Sequence, residues 1–260
     1  MLSEEPYPFE SDDDIEIREL DLEDLDAVAE ARITIGQLAG ENESWRYGHV
    51  IVDEAQDLTP MQWRMIMRRV RGRSLTIVGD LAQRSATRTG TENASWQDLL
   101  PADLSEIRRQ DLTVNYRSPA EIHALAVSVL ADFAPGVAPS SAIRSSGWAP
   151  EFRQVKFADG LDSLIDQALA AVGGQVAVIS SDPGALVTSR QHDETAGSRV
   201  RLLTPAESKG LEFDAVVLVE PAEILQGRGG PPELYIALTR ATQRLFVAHE
   251  QSLPEILQPS

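Results

Sequence analysis

Val50-Ile-Val-Asp53-Glu54-Ala55-Gln56-Asp57 is the stretch on which the reading of this 260-residue chain turns. Three β-branched residues run straight into a pair of acids, as a buried parallel strand does when its carboxyl end carries a site. Open α/β sheets bind ligands at that end of their strands. A magnesium ion takes one or two carboxylates together with phosphate oxygens and water. A neighbouring glutamate can orient or deprotonate the water that attacks a phosphoryl group. Asp53 is therefore the candidate metal ligand and Glu54 the candidate base. Two acids that end a strand and cap a turn would have the same sequence, so the surroundings must decide.

Outward from this block, strands and helices alternate. Thr59-Pro60 predicts a helix start, with Thr59 as N-cap and Pro60 at the first helical position. Trp63, Ile66, Met67 and Val70 give that helix its apolar stripe. Residues 74–78 predict the next strand, closed by Gly79-Asp80. Further strands are expected over 110–114, 152–157, 176–180, 200–203, 215–220 and 245–248. Ser118-Pro119 predicts a cap for a helix with the stripe Ile122, Leu125, Ala126, Val129 and Leu130. Residues 134–150, rich in Pro, Ser and Gly, read as a loop. Leu161, Leu164, Ile165, Ala168, Leu169 and Val172 mark a helix that stops at Gly173-Gly174. Another follows Pro231-Pro232 and ends near Ala241. The alternation predicts an α/β fold with a mainly parallel sheet flanked by helices. Residues 1–45 read as an acidic N-terminal segment with a helix over 21–35. Residues 46–109 read as a partial first lobe, and 110–260 as a complete second one.

Composition sets bounds. With 42% hydrophobic and 25% charged residues the chain is of ordinary globular make-up. It has no cysteine, which excludes a disulfide framework and a thiolate zinc site. No apolar run is long enough to span a bilayer, the N-terminus lacks a signal-peptide pattern, and a cytoplasmic location is expected. The net charge of −18 is unlike that of a simple nucleic-acid binder. Much of the acid lies between Glu4 and Glu30, while Arg64, Arg68, Arg69, Arg71 and Arg73 cluster. That cluster reads equally as a local basic stripe or a solvated helix face. Only two lysines occur, Lys156 and Lys209.

Four more blocks carry candidate chemistry. Gly79-Asp80 with Gln83 ends a strand and offers an amide that could bridge a terminal phosphate to the rest of a site. Asn115-Tyr116-Arg117-Ser118-Pro119 sets an arginine at a helix mouth, which suits an anion, beside a tyrosine able to stack on a purine. Ser208-Lys209-Gly210-Leu211-Glu212-Phe213-Asp214 leads into an apolar strand. Ala237-Leu238-Thr239-Arg240-Ala241 predicts that a helix projects Arg240 from its C-terminal end. Such an arginine can act on a transferring phosphoryl group or simply complement the helix dipole. Each block alone has an ordinary structural explanation: a strand-to-turn transition, a core tyrosine beside a surface arginine, a polar turn, a dipole cation.

Taken in order and spacing, the five blocks resemble the UvrD/Rep family of superfamily 1 helicases, over residues 49 to 248. Asp53-Glu54-Ala55-Gln56-Asp57 resembles the Walker B motif, and Gly79-Asp80 with Gln83 resembles motif III. The remaining three blocks are similar to motifs IV, V and VI. The resemblance implies a RecA-like P-loop NTPase fold, with a partial first lobe, a second lobe, and ATP in the cleft between them. It further implies Asp53 on Mg²⁺, Glu54 activating water and Gln83 sensing the γ-phosphate. Tyr116 would stack on adenine, Glu212 would hold the ribose, and Arg117 and Arg240 would reach the γ-phosphate. Single-stranded DNA is the implied partner.

Three departures qualify this expectation. No Gly-x-x-x-x-Gly-Lys-Ser/Thr occurs, so the backbone cradle for phosphates is missing. Hydrolysis by this chain alone is not expected, and a fragment or split gene product is. The stretch from Pro119 to Thr204 is short, without the large accessory domain of UvrD and Rep. Motif III continues as Arg84-Ser-Ala-Thr-Arg-Thr-Gly without the family's aromatic run, and motif V lacks its histidine. These features are similar to the HelD-type, helicase-IV-like branch of actinobacteria, which includes factors that use ATP to release RNA polymerase. An acidic surface would suit a partner with basic channels. A non-catalytic interaction module that kept the fold is the third reading.

Overall fold

The computed structural model describes residues 46–72, 74–84, 95–102, 104, 107–186 and 199–258. The acidic segment with its predicted helix, Arg73 and the continuation of the Gly79-Asp80 block beyond Arg84 lie outside these residues.

Two bodies of sheet follow one another along the chain. In the first, β1 (Val50–Val52) pairs in parallel with β2 (Leu75–Ile77), Ile51 opposite Thr76. Between them runs α1 (Pro60–Arg69). Its start is fixed by a capping box: the Thr59 side chain accepts from Gln62 N, and Gln62 accepts from Thr59 N at 2.7 Å. The stripe predicted for this helix is turned inward. Trp63 is 2% exposed and packs with Val52 and Ala55, and Ile66 packs against them. The expectation that β1 is buried on both faces fails at Ile51, which is 70% exposed. Among the described residues β1 has one neighbouring strand, and α1 packs on the face that holds Val52.

The second body is a five-stranded sheet, every pairing parallel, in the order β5–β9–β8–β6–β7. The strands are β5 (Glu151–Gln154), β6 (Val176–Ile179), β7 (Val200–Leu203), β8 (Phe213–Val219) and β9 (Ala241–His249). The period of two along the strands divides its core. Ala177, Ile179, Val216, Leu218, Leu245 and Val247 face one way, against α3 (Ala120–Phe133) and α6 (Gly230–Leu238). Val176, Val178, Ala215, Val217, Phe246 and Ala248 face the other, against α4 (Phe157–Ala171). Leu161, Leu164, Ile165 and Ala168 of α4 are each at most 4% exposed. Burying each of the three larger ones is worth roughly 1.5–3 kcal/mol. The fold is thus α/β, with parallel sheets flanked by helices in the manner of RecA-like superfamily 1 helicase lobes.

Several expectations shift at element ends. The strand expected over 110–114 is β3 (Val114–Asn115), and it pairs in parallel with β4 (Ser141–Ala142), inside the stretch read as loop. Short, polar β4 has no alternating pattern to reveal it. Ser118 does not cap α3. Pro119 holds the cap position without a side-chain bond, and the Ser118 N–H is taken by Asn115 Oδ1 instead. The strand expected to reach Phe157 stops at Gln154, and Phe157 begins α4, its N–H held by the Glu250 carboxylate. α5 (Pro221–Gln226) was not predicted. Chain reversal after β8 is made at Glu220, in the left-handed region at φ 45°. The short α2 (Trp96–Leu99) closes the first body, where Trp96 packs beside Trp63. Among the described residues no helix is long and apolar enough to cross a membrane.

Candidate functional site

β1 ends at Val52, and Asp53 stands exposed at its carboxyl end. The next residue, Glu54, is at φ 49°, ψ 38°. A left-handed glutamate costs on the order of 1–3 kcal/mol, a strain that persists only where surrounding structure enforces it. Here it is enforced on both sides. Glu54 N donates to Asp53 Oδ1 at 2.8 Å, and Ala55 N donates to Val78 O at 3.1 Å. The kink turns the strand into the short helical turn Ala55–Asp57 and leaves both acids at the strand end.

From Glu54 a continuous set of side-chain bonds leads to the other body. Gln56, fully buried, donates from Nε2 to Glu54 Oε2 at 2.6 Å and accepts on Oε1 from Asp80 N at 3.1 Å. Asp80 accepts on Oδ1 from Ala82 N at 2.9 Å and on Oδ2 from Gln83 Nε2 at 2.9 Å. Gln83 Oε1 accepts from Arg240 Nη2 at 2.8 Å. Gly79 makes room for the middle of the set. A Cβ there would lie 2.4 Å from Gln56 Oε1 and 2.7 Å from the Trp96 ring.

Arg240 does not project from a helix end. α6 stops at Leu238, and Arg240 lies in the turn into β9, 1% exposed. Its Nε donates to Ile236 O at 3.0 Å and its Nη1 to Leu211 O at 3.1 Å. It therefore caps the last turn of α6 and reaches across to Gln83 at the same time. Burial and the nearby Arg117 guanidinium pull its pKa down to about 10, against the attraction of Glu54, Tyr235 and Asp80. It still carries its charge at neutral pH. Burial, together with Asp80, pushes the Tyr235 phenol well above its usual value. Ala82, 1% exposed, sits in the core formed by α3, α6 and the five-stranded sheet, so the turn bearing Gln83 is built into both bodies.

Arg117 lies on the same side of the site. Its Nε pairs with Glu212 Oε2 at 3.0 Å, both side chains partly exposed. Tyr116 is 72% exposed. The structure thus brings Glu54, Gln83 and Arg240 into one network, with Asp53 adjoining it and Arg117 within electrostatic reach. It joins Arg117 to Glu212 as a pair, where the sequence suggested two separate contacts.

Lys209 is the residue whose place the sequence reading missed. It comes from the turn before β8, yet its ammonium donates to Asp57 Oδ2 and to Gln83 O, and lies 3.8 Å from Glu54 Oε2. Gly210 follows at φ 73°, and a Cβ on it would come 4.0 Å from Glu54 Oε1. The signal was present: one of only two lysines falls inside a candidate block, and the first block carries an extra acid at Asp57.

Comparison with known proteins gives two family matches. Residues 14–84 match the UvrD/REP helicase N-terminal domain, and residues 154–248 match the viral superfamily 1 RNA helicase core domain. Among solved structures, the PRRSV helicase is 16% identical over 77% of this chain and 34% of that one, at a TM-score of 0.43. The C-terminal domain of a possible DNA helicase from Lactobacillus plantarum WCFS1 is 22% identical over 55% of this chain and 92% of that one, at a TM-score of 0.43. The arterivirus nonstructural protein 10 helicase, in a complex with DNA, is 20% identical over 77% of this chain and 39% of that one, at a TM-score of 0.43. The chain spans about a third of the length of the PRRSV helicase. No curated protein matches it. Both family matches are to superfamily 1 helicase domains, one on each side of the site.

Proposed function

We propose that this chain is the ATP-binding and ATP-hydrolysing motor module of a superfamily 1 DNA helicase or translocase. The observation that carries the reading is the bonded set Glu54–Gln56–Asp80–Gln83–Arg240, which joins a strand end in one body to a buried arginine in the other. Such a set places a base, an amide and a cation around one cleft, where a polyphosphate needs them.

The residues fit the groups that this chemistry requires. Among the described residues there is no cluster of three acids or histidines able to hold a metal alone. Asp53 would hold Mg²⁺ with phosphate oxygens and water completing the shell. Bound there, the ion would neutralise developing phosphate charge. Glu54 orients and deprotonates the attacking water, its position set by Gln56 and by its strained backbone. Gln83 and Arg240 face the γ-phosphate, and Arg117 joins them when it leaves Glu212. Tyr116 offers its open face to adenine, and Glu212 takes the ribose. Lobe closure brings Arg117 and Arg240 onto the phosphate, and repeated closure moves the module along single-stranded DNA.

The sequence holds no Gly-x-x-x-x-Gly-Lys-Ser/Thr. The amides that cradle the phosphates must come from elsewhere, and the chain alone is inactive in this account. A second reading is an ATPase that releases RNA polymerase, of the HelD type, and the net charge of −18 favours it. The test uses a form of the protein that carries a phosphate loop. Glu54→Gln is expected to lower kcat by about 100-fold or more and to stop strand separation of a tailed duplex. Stimulation of ATP hydrolysis by RNA polymerase, with none by single-stranded DNA, would exclude the helicase reading in favour of the second. An unchanged kcat in Glu54→Gln would leave a fold that serves only as a binding module.

A further inference from the structure

Arg117 is held through its backbone from two directions. On one side, Asn115 Oδ1 accepts from Arg117 N at 2.9 Å and from Ser118 N at 3.2 Å. Two N–H donors on that oxygen fix the orientation of the amide, so Asn115 Nδ2 must point the other way, to His123 Nδ1 at 3.0 Å. His123 Nδ1 is therefore the acceptor. The ring's proton lies on Nε2, which donates to Ser140 O at 2.7 Å. His123, in α3, is 8% exposed. It is a neutral imidazole of defined tautomer, wedged between an amide that needs an acceptor and a carbonyl that needs a donor.

On the other side, Arg144 Nη2 donates to Arg117 O and to Thr242 O, the latter at 2.7 Å. Thr242 is two residues beyond Arg240, and its hydroxyl donates to Phe213 O at 3.1 Å. Phe213 follows Glu212, and its N–H donates to Arg240 O at 2.9 Å. The three chain segments that bear Arg117, Glu212 and Arg240 are thus cross-linked by groups that do not face the cleft. A clamp is needed because Arg117 and Arg240 repel one another while no anion lies between them, as the lowered Arg240 pKa registers.

The geometry points to His123 and Arg144 as positioning residues: they pin the Arg117 peptide from both ends and so set its guanidinium at a fixed separation from Arg240. Neither is a catalytic residue. The inference rests on the nucleotide reading for what Arg117 touches, but the pinning can be measured without nucleotide.

The experiment is ¹⁵N nuclear magnetic resonance on the full chain, unaltered and as His123→Leu, His123→Asn and Arg144→Met. In the unaltered chain the His123 ring is expected to show the neutral Nε2–H pattern, a result that depends on no variant folding. His123→Leu and Arg144→Met should each displace the Arg117 and Ser118 amides and leave those of the β8 and β9 core in place. His123→Asn keeps an acceptor where Nδ1 was and should restore both amides. Sodium tripolyphosphate, titrated as the anion, should bind about tenfold more weakly to His123→Leu and Arg144→Met, the worth of one charge-assisted bond. An Nδ1–H tautomer, unmoved amides in both disruptive variants, or an Asn variant that behaves like the Leu variant would overturn the pinning. If the amides move as expected while tripolyphosphate disturbs no arginine of the unaltered chain, the nucleotide reading fails and the pinning stands.

Discussion

Arg240 shows how one side chain can serve fold and site together. Its guanidinium satisfies two carbonyls, Ile236 O and Leu211 O, and then spends its remaining donors on Gln83 and Thr239. Removing it leaves buried acceptors without donors, each costing about 1–3 kcal/mol. Arg240→Ala should therefore lower the urea midpoint as well as any activity. Gln83→Ala should cost less, because the arginine keeps its other partners. A double-mutant cycle between the two is expected to return a coupling of about 1–3 kcal/mol, and a coupling near zero would show that the 2.8 Å contact does not persist in solution. Gly79 is a second such residue. Gly79→Ala forces a methyl against Gln56 and Trp96, and overpacking of this kind costs about 1–3 kcal/mol. Thermal unfolding will read that loss, and an unchanged Tm would mean that the Glu54–Gln56 link tolerates displacement.

At the scale of elements, the parts legible in the sequence were those with a local physical signature. Thr59-Pro60 announced α1 because a cap and a first-turn proline act within three residues. The spacing of Leu161 to Val172 announced α4 because its inward stripe is continuous. β3 and β4 were illegible because two residues of strand carry no period, and their pairing joins segments far apart in sequence. Lys209 and Gln56 were quoted in blocks yet given no task, since a contact between turns before and after 150 residues of chain leaves no local trace. α3 offers a pH test of such a distant contact. The Glu121 carboxylate accepts from Ser145 Oγ at 2.5 Å, from Ser146 N at 3.1 Å and from Gly147 N at 2.9 Å. The Ser145 hydroxyl first, then backbone amides, hold its pKa down to about 2. An acid with a depressed folded pKa contributes stability that is full above its unfolded value, about 4.3, and is lost as pH falls through about 2. Amide exchange at Ser146 and Gly147 should therefore gain protection-loss with acid in the unaltered chain. In Glu121→Gln the same amides should be weakly protected at every pH. Equal protection in the two chains would remove Glu121 as the tether of this loop.

Across the whole molecule, two bodies of parallel sheet meet at a seam that is polar in its contacts and apolar at one point. Ala82 enters the larger core, Arg240 reaches Gln83, and Lys209 reaches Asp57 and Glu54. Every group proposed to act on a phosphate lies along this seam, and the phosphate cradle itself is the one part that the sequence does not contain. Lys209→Met is expected to loosen the seam while leaving the five-stranded core intact, seen as faster amide exchange at Ala82 and Gln83 with no change in β8. The central claim is that the seam is one side of an ATP site awaiting its phosphate loop. Steady-state ATP turnover tests it most directly, measured for this chain alone and again with a segment bearing Gly-x-x-x-x-Gly-Lys-Ser/Thr from a superfamily 1 helicase supplied. The account predicts silence in the first case and turnover in the second that Glu54→Gln abolishes. Silence in both, with single-stranded DNA, RNA and RNA polymerase each present in turn, would contradict it.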